Sequence, residues 1–179
     1  MPPVTSAWVE RVALHYLDRY SASTEMLRRM LVRRVGTRCR ARGEEVDGFA
    51  PLIEECVARA VRAGLVDDTR FTQARLATLR RRGVSTRGAG AKLAAKGVGR
   101  ETVVAALAHE RDEAGEGAEI EREAARAYAR RRCLGPYRQP DARAAHRDRD
   151  LAAMARAGFP YGLARELVDT DISGDGSDQ

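Results

Sequence analysis

The stretch Gly64-Leu65-Val66-Asp67-Asp68-Thr69-Arg70-Phe71 decides how this chain is built. Two adjacent carboxylates could be a metal site, a catalytic pair or a joint between helices. Upstream, Leu52, Ile53, Cys56, Val57, Ala60 and Val61 recur at helical spacing behind Pro51, which suits a first turn. Gly64 then reads as the left-handed residue that ends this helix, with Leu65 and Val66 turning inward. Asp67 or Asp68 caps the next helix by accepting from its free amides. No His, Glu or further Asp stands beside them to complete a magnesium or calcium shell. The aspartates are structural in this reading, and Phe71, one turn in, pins the new helix to the old core.

Working outward, the same punctuation recurs. A first helix over 5–20 carries Trp8, Val12 and Tyr16, with Val9, Ala13 and Leu17 beside them. Ser23 caps a second, with Glu25 in its first turn and Leu27 and Leu31 within, followed by a polar loop over 36–48. The fourth, over 68–82, ends at Gly83. The fifth is capped by Ser85 and ends at Gly97, and the sixth covers 100–113. The seventh, over 119–133, is stopped by Gly135-Pro136; the eighth runs from Pro140 to Gly158, and the ninth begins near Pro160.

An internal repeat is visible in this series. Leu93-Ala-Ala-Lys-Gly97-Val98 and Met154-Ala-Arg-Ala-Gly158-Phe159 both place a large apolar residue four before a glycine and another directly after it. Leu31-Val-Arg-Arg-Val35 resembles a first copy with its glycine slipped to Gly36. The expected fold is all-α: three tandem three-helix repeats at 5–64, 65–115 and 116–170, forming an elongated, curved molecule, with an acidic disordered tail at 171–179.

Composition agrees with helices. Of 179 residues 44% are apolar, enough for a core, but only 5% are aromatic, too few for a sandwich or barrel. Cys39, Cys56 and Cys133 are widely spaced, with no C-x-x-C pair, which points to a reducing cytoplasm and no structural metal. MPPVTSAW lacks a signal-peptide pattern and no apolar run reaches a membrane span. The expected chain is cytoplasmic, makes no membrane contact and is a monomer.

Charge is segregated. The net value is +6, and residues 69–100 hold nine basic residues and no acid, while 26–43 hold seven arginines and no acid. Residues 101–124 hold eight acids against two arginines. Such a field suits a polyanion or an acidic protein face. His15, His109 and His146 lie on separate helices without an identifiable partner, so no catalytic residue, metal ligand or cofactor is expected and the chain reads as a non-enzyme. Arg87-Gly-Ala-Gly90 lacks the preceding strand and Lys-Ser/Thr of a nucleotide loop.

With Gly64-Leu65-Val66-Asp67-Asp68 followed by Arg70-Phe71, Lys96-Gly97-Val98, Arg156-Ala157-Gly158-Phe159, and Ser23 with Glu25 and Leu27, the sequence resembles the RecX family of RecA modulators over about residues 8–169. The resemblance implies a protein that binds RecA and its filament on single-stranded DNA and limits strand exchange, ATP hydrolysis and co-protease activity. Binding to single-stranded or double-stranded DNA would be non-specific. The pattern departs from the family at Thr72, usually Ala, and at Ala89, usually a larger aliphatic.

For such a role the candidate contacts are Arg80, Arg81, Arg82, Arg87, Lys92 and Lys96, from the acid-free segment, and Arg28, Arg29, Arg33 and Arg34 on the second helix. Arg130, Arg131 and Arg132 end a helix whose start is acidic and read as solvated. A helical DNA-binding transcription regulator is the alternative. Against it, the fifth helix offers Gly88, Ala89, Gly90, Ala91 and Lys92, which suit close backbone approach better than base reading.

Overall fold

The structure is a computed structural model that describes residues 2–114 and 117–170, so the tail 171–179 lies outside the described residues. All regular structure among these residues is helical: α1 Ser6–Leu17, α2 Thr24–Arg40, α3 Ala50–Arg62, α4 Asp68–Arg81, α5 Thr86–Ala95, α6 Arg100–Ala114, α7 Gly117–Arg132, α8 Pro140–Arg156 and α9 Tyr161–Val168, with short 3-10 turns at Asp47–Phe49 and Gly135–Tyr137. The chain divides into two compact units. The first is Met1–Ala74 with Leu93–Val103 and the second is Arg75–Lys92 with Val104–Gln179, so the division falls within α4, α5 and α6.

In the first unit α1, α2 and α3 pack on one another. Their buried faces follow helical spacing: Val9 and Ala13; Leu27, Leu31, Val35 and Cys39; Ile53, Cys56, Val57 and Ala60. Val66 joins this core, but Val61 and Leu65, expected inside, stand at the surface. Leu65 spends its N–H on the Ala60 carbonyl at 3.0 Å, within the turn at Gly64, and the chain re-enters the core only at Val66.

The first five residues of the expected loop over 36–48 are helical. α2 continues through Gly36 to Arg40 because Val35, Gly36 and Cys39 extend its buried stripe. Its ending glycine is Gly43, at φ +68°, with Gly43 N–H donating to Arg40 and Glu44 N–H to Cys39. The slipped first copy at Gly36 is therefore corrected to Cys39-Arg-Ala-Arg-Gly43. Gly64, Gly83, Gly97 and Gly158 end α3, α4, α5 and α8 with the same two bonds, one from the glycine three residues back and one from the following residue five back. α7 ends this way on Cys133, at φ 52°, the expected last residue of the helix, with Gly135 and Pro136 in the 3-10 turn just beyond.

The second unit is centred on Ala124, Ala125, Ala129, Leu134, Leu151, Met154, Phe159, Ala164, Leu167 and Val168. The alanine stripe of α7 admits close approach, and Tyr128 packs at 5.6 Å from the Phe159 ring. Asp150 is buried here, accepting from Gly135 N–H at 2.8 Å and pairing with Arg138 at 2.7 Å.

One joint is built in both units. Within the first, Ser23 Oγ accepts from Met26 N–H at 3.2 Å and donates to the Lys96 carbonyl at 2.5 Å, one residue before Gly97. Within the second, Ser85 Oγ accepts from Gly88 N–H at 3.1 Å and donates to the Ala157 carbonyl at 2.7 Å, one residue before Gly158. Each serine caps one helix while satisfying an orphan carbonyl of another.

The aspartates divide the capping role between them. Asp67 Oδ1 accepts from Thr69 N–H at 2.9 Å and Arg70 N–H at 3.0 Å, capping α4. Asp68 Oδ1 accepts instead from Thr24 N–H at 2.7 Å, at the start of α2. Among the described residues no group of three potential metal ligands occurs. Thr72, fully buried, satisfies its hydroxyl on the Asp68 carbonyl at 2.6 Å.

Candidate functional site

In the second unit, small residues open a groove. Gly83, Gly88, Ala91, Ala153 and Ala157, with Val84 and Tyr128, line a cavity of about 490 Å³, and its remaining lining residues are Lys92, Arg131, Arg132 and Arg156. Gly83 is required: a Cβ there would lie 2.4 Å from the Tyr128 backbone nitrogen. Among the described residues four cations and no carboxylate line this space, and all four side chains are exposed. A groove with a small-residue floor and a cationic rim accommodates phosphate groups or carboxylate side chains.

The expected contact residues separate into two kinds. Arg80 is internal to the second unit, held by Glu110 at 2.8 Å and Glu121 at 2.9 Å and donating to the Val84 carbonyl and Thr86 Oγ1. Burial alone would lower its proton affinity, but the two carboxylates outweigh burial and raise its pKa above the ordinary arginine value. Arg80, expected as a contact residue, thus has its charge engaged within the second unit. Among the described residues Arg82, Arg87 and Lys92 are exposed with no ion pair, and Arg81 makes a 3.3 Å bond to Thr78 Oγ1.

In the first unit, Arg28 is engaged by Glu25 at 2.5 Å and Glu54 at 2.7 Å, and Glu54 and Glu25 raise its pKa. Arg29 pairs with Glu25 at 2.8 Å and donates to the Ala95 carbonyl at 3.2 Å. These two brace α2 rather than project freely. Arg33 and Arg34 are exposed and make no ion pair among the described residues, while Lys96 is half-buried.

Over 169 residues the chain is 41% identical to the regulatory protein RecX of Myxococcus xanthus (strain DK1622), covering 94% of this chain and 88% of that one. The chain belongs to the RecX family. The regulatory protein RecX of Agrobacterium fabrum (strain C58) is 29% identical over 167 residues, covering 90% of this chain and 82% of that protein. No family model matches, and no solved structure does.

In this RecX-family chain, sequence reasoning passed over Arg131, Arg132 and Arg156. The Arg130-Arg131-Arg132 run was visible, and the dipole argument assigned it to solvent. Its neighbours could not be read, because the convergence of Lys92 on α5 and Arg156 on α8 with the end of α7 is a tertiary fact. No helix among the described residues is long and apolar enough to cross a membrane.

Proposed function

We propose that this chain is a regulatory protein that binds RecA and its filament on single-stranded DNA and restrains recombinase, ATPase and co-protease activity, acting in the cytoplasm in the regulation of DNA repair and the SOS response. It acts by binding, without chemistry of its own, and three tandem helical repeats supply the binding surfaces. The carrying observation is the groove of the second unit, in which Lys92, Arg131, Arg132 and Arg156 face one space with no acid among the lining residues. Arg81, Arg82 and Arg87, exposed on the same unit, extend the positive surface toward acidic RecA side chains or filament phosphates. Family membership supports the regulatory role, and the serine joint, built twice in the same way, supports the repeat.

The test is a titration of RecA ATPase on single-stranded DNA with the parent chain and with two variants. Replacing Arg81, Arg82 and Arg87 with Gln should preserve helicity and melting temperature and weaken suppression, each lost contact costing on the order of 1 kcal/mol. Replacing Arg131 and Arg132 with Gln should do the same. Absence of suppression by the folded parent overturns the RecA reading, and full suppression by both folded variants at low salt moves the contact elsewhere.

A further inference from the structure

The first unit carries a second groove that the basic runs in the sequence do not reveal. Its lining is Trp8, Arg11, Val12, His15, Tyr16, Arg19 and Tyr20 from α1 and the turn after it, with Met30 and Arg34 from α2, enclosing about 560 Å³. Rings and cations alternate along the groove, Trp8, Arg11 and Tyr16 from α1 and Arg19 and Tyr20 from the turn after it. The Tyr16 and Tyr20 rings stand 5.3 Å apart, and Tyr20 is 57% exposed, its ring open to a flat partner. The Trp8 ring already carries the Arg38 guanidinium at 4.3 Å.

The charges of this groove are unspent. Arg11, Arg19 and Arg34 are exposed, and none makes an ion pair or side-chain hydrogen bond among the described residues. No carboxylate is among the described lining residues, and Glu10, next to Arg11, is paired with Arg59. A duplex would present its phosphates to the arginines but hide its base faces from the rings. An acidic peptide would meet the arginines and leave the row of rings without flat partners. A single strand offers both, phosphates for Arg11, Arg19 and Arg34 and bases for stacking on the tyrosines.

We propose that the α1–α2 groove of the first unit binds single-stranded nucleic acid, with the aromatic rings stacking on bases and the three arginines pairing with phosphates. This site is independent of the RecA reading, since its test contains no RecA. The chain holds one tryptophan, and it lines the groove, so intrinsic fluorescence reports this site rather than the basic groove of the second unit.

The experiment titrates the full chain with a 20-nucleotide oligothymidylate, a duplex of equal length and poly-glutamate, following Trp8 fluorescence and the anisotropy of a labelled oligonucleotide. The expected result is saturable quenching by oligothymidylate and weaker quenching by the duplex. The logarithm of the binding constant should fall with log salt at a slope of about −2, from roughly 0.7 per neutralised phosphate. Tyr20→Ala should weaken binding about tenfold, in the range of one lost base stack. Arg11→Gln and Arg19→Gln should each reduce the slope by about 0.7. Circular dichroism on each variant establishes that it is folded. Quenching by poly-glutamate but not oligothymidylate overturns the proposal in favour of an acidic polypeptide. Equal quenching by duplex and single strand overturns the stacking role. If labelled oligonucleotide binds but the folded Arg11→Gln, Arg19→Gln and Tyr20→Ala variants retain parental affinity and slope, the groove is not the site.

Discussion

The Ser85 hydroxyl donates to the Ala157 carbonyl at 2.7 Å while accepting from Gly88 N–H at 3.1 Å, so one side chain closes two helix ends. Ser85 is fully buried, so its hydroxyl depends on these two partners. Ser85→Ala should cost about 1–2 kcal/mol, measured by urea unfolding. Gly158→Ala should cost about 1–3 kcal/mol, since the residue sits at φ +90° and a Cβ would lie 2.8 Å from Ser85 Oγ. An alanine tolerated at 158 without loss would contradict the joint.

Asp67 and Asp68 stabilise different helices, α4 and α2. Each substitution by Ala should cost about 1 kcal/mol. Calorimetry with and without chelator tests whether these carboxylates serve only as caps: the parent melting temperature should not move on adding EDTA. Hydrogen exchange separates the two, with Asp67→Ala loosening the amides of Thr69 and Arg70 and Asp68→Ala that of Thr24.

Asp150 gives the second unit an acid-sensitive point. Burial alone would raise its pKa, but the hydrogen bonds from Arg138 and from Gly135 N–H outweigh burial and hold it below the ordinary aspartate value. A carboxyl whose pKa is lower folded than unfolded stabilises the fold fully above its unfolded value, about 4. That contribution is lost as pH falls through the folded value. Melting temperature should therefore fall as the solution is acidified below about pH 4, and part of the fall should vanish in Asp150→Asn. The variant should also lose about 1–3 kcal/mol at neutral pH, through weakening of the bonds that Arg138 and Gly135 N–H donate to the carboxylate.

Arg80 and Arg82 lie two residues apart and should behave oppositely. Arg80→Gln leaves Glu110 and Glu121 without their shared cation and should cost about 3 kcal/mol in thermal or urea unfolding. Arg82→Gln should change stability by less than about 0.5 kcal/mol, as exposed unpaired positions do. A charge-removal series that includes Arg80 would lose activity through unfolding, so suppression of RecA is best tested with Arg80 intact.

Much of the fold was legible because Gly, Ser and Asp punctuate it chemically. Ser23, Ser85, Gly64, Gly83, Gly97 and Gly158 were each assigned the end they occupy. Gly36 misled because a glycine inside a helix looks like its end; what continued α2 was the burial of Val35 and Cys39, a property of α2 seen only against its neighbours. Cys133 stands at the expected end of α7, but nothing in its side chain announces its left-handed backbone. The surface was less legible than the fold. A run of basic residues shows how many charges exist but not which are spent, and Arg28, Arg29 and Arg80 are spent on Glu25, Glu54, Glu110 and Glu121.

The Ser23 to Lys96 bond joins positions 73 residues apart, and the first unit takes in Leu93–Val103 after the chain has already supplied Arg75–Lys92 to the second. During synthesis, α2 can form and pack on α1 and α3 early, yet Ser23 has no carbonyl to donate to until Lys96 has left the ribosome. The first unit therefore waits, nearly complete, for a segment made late, while residues 75–92 wait in turn for Val104 onward. Neither unit is finished by its own uninterrupted stretch of chain. A nascent chain halted shortly before Leu93 emerges should hold a first unit more open to protease than one halted after Val103 is clear of the tunnel, and the gain in resistance should arrive as a step rather than gradually.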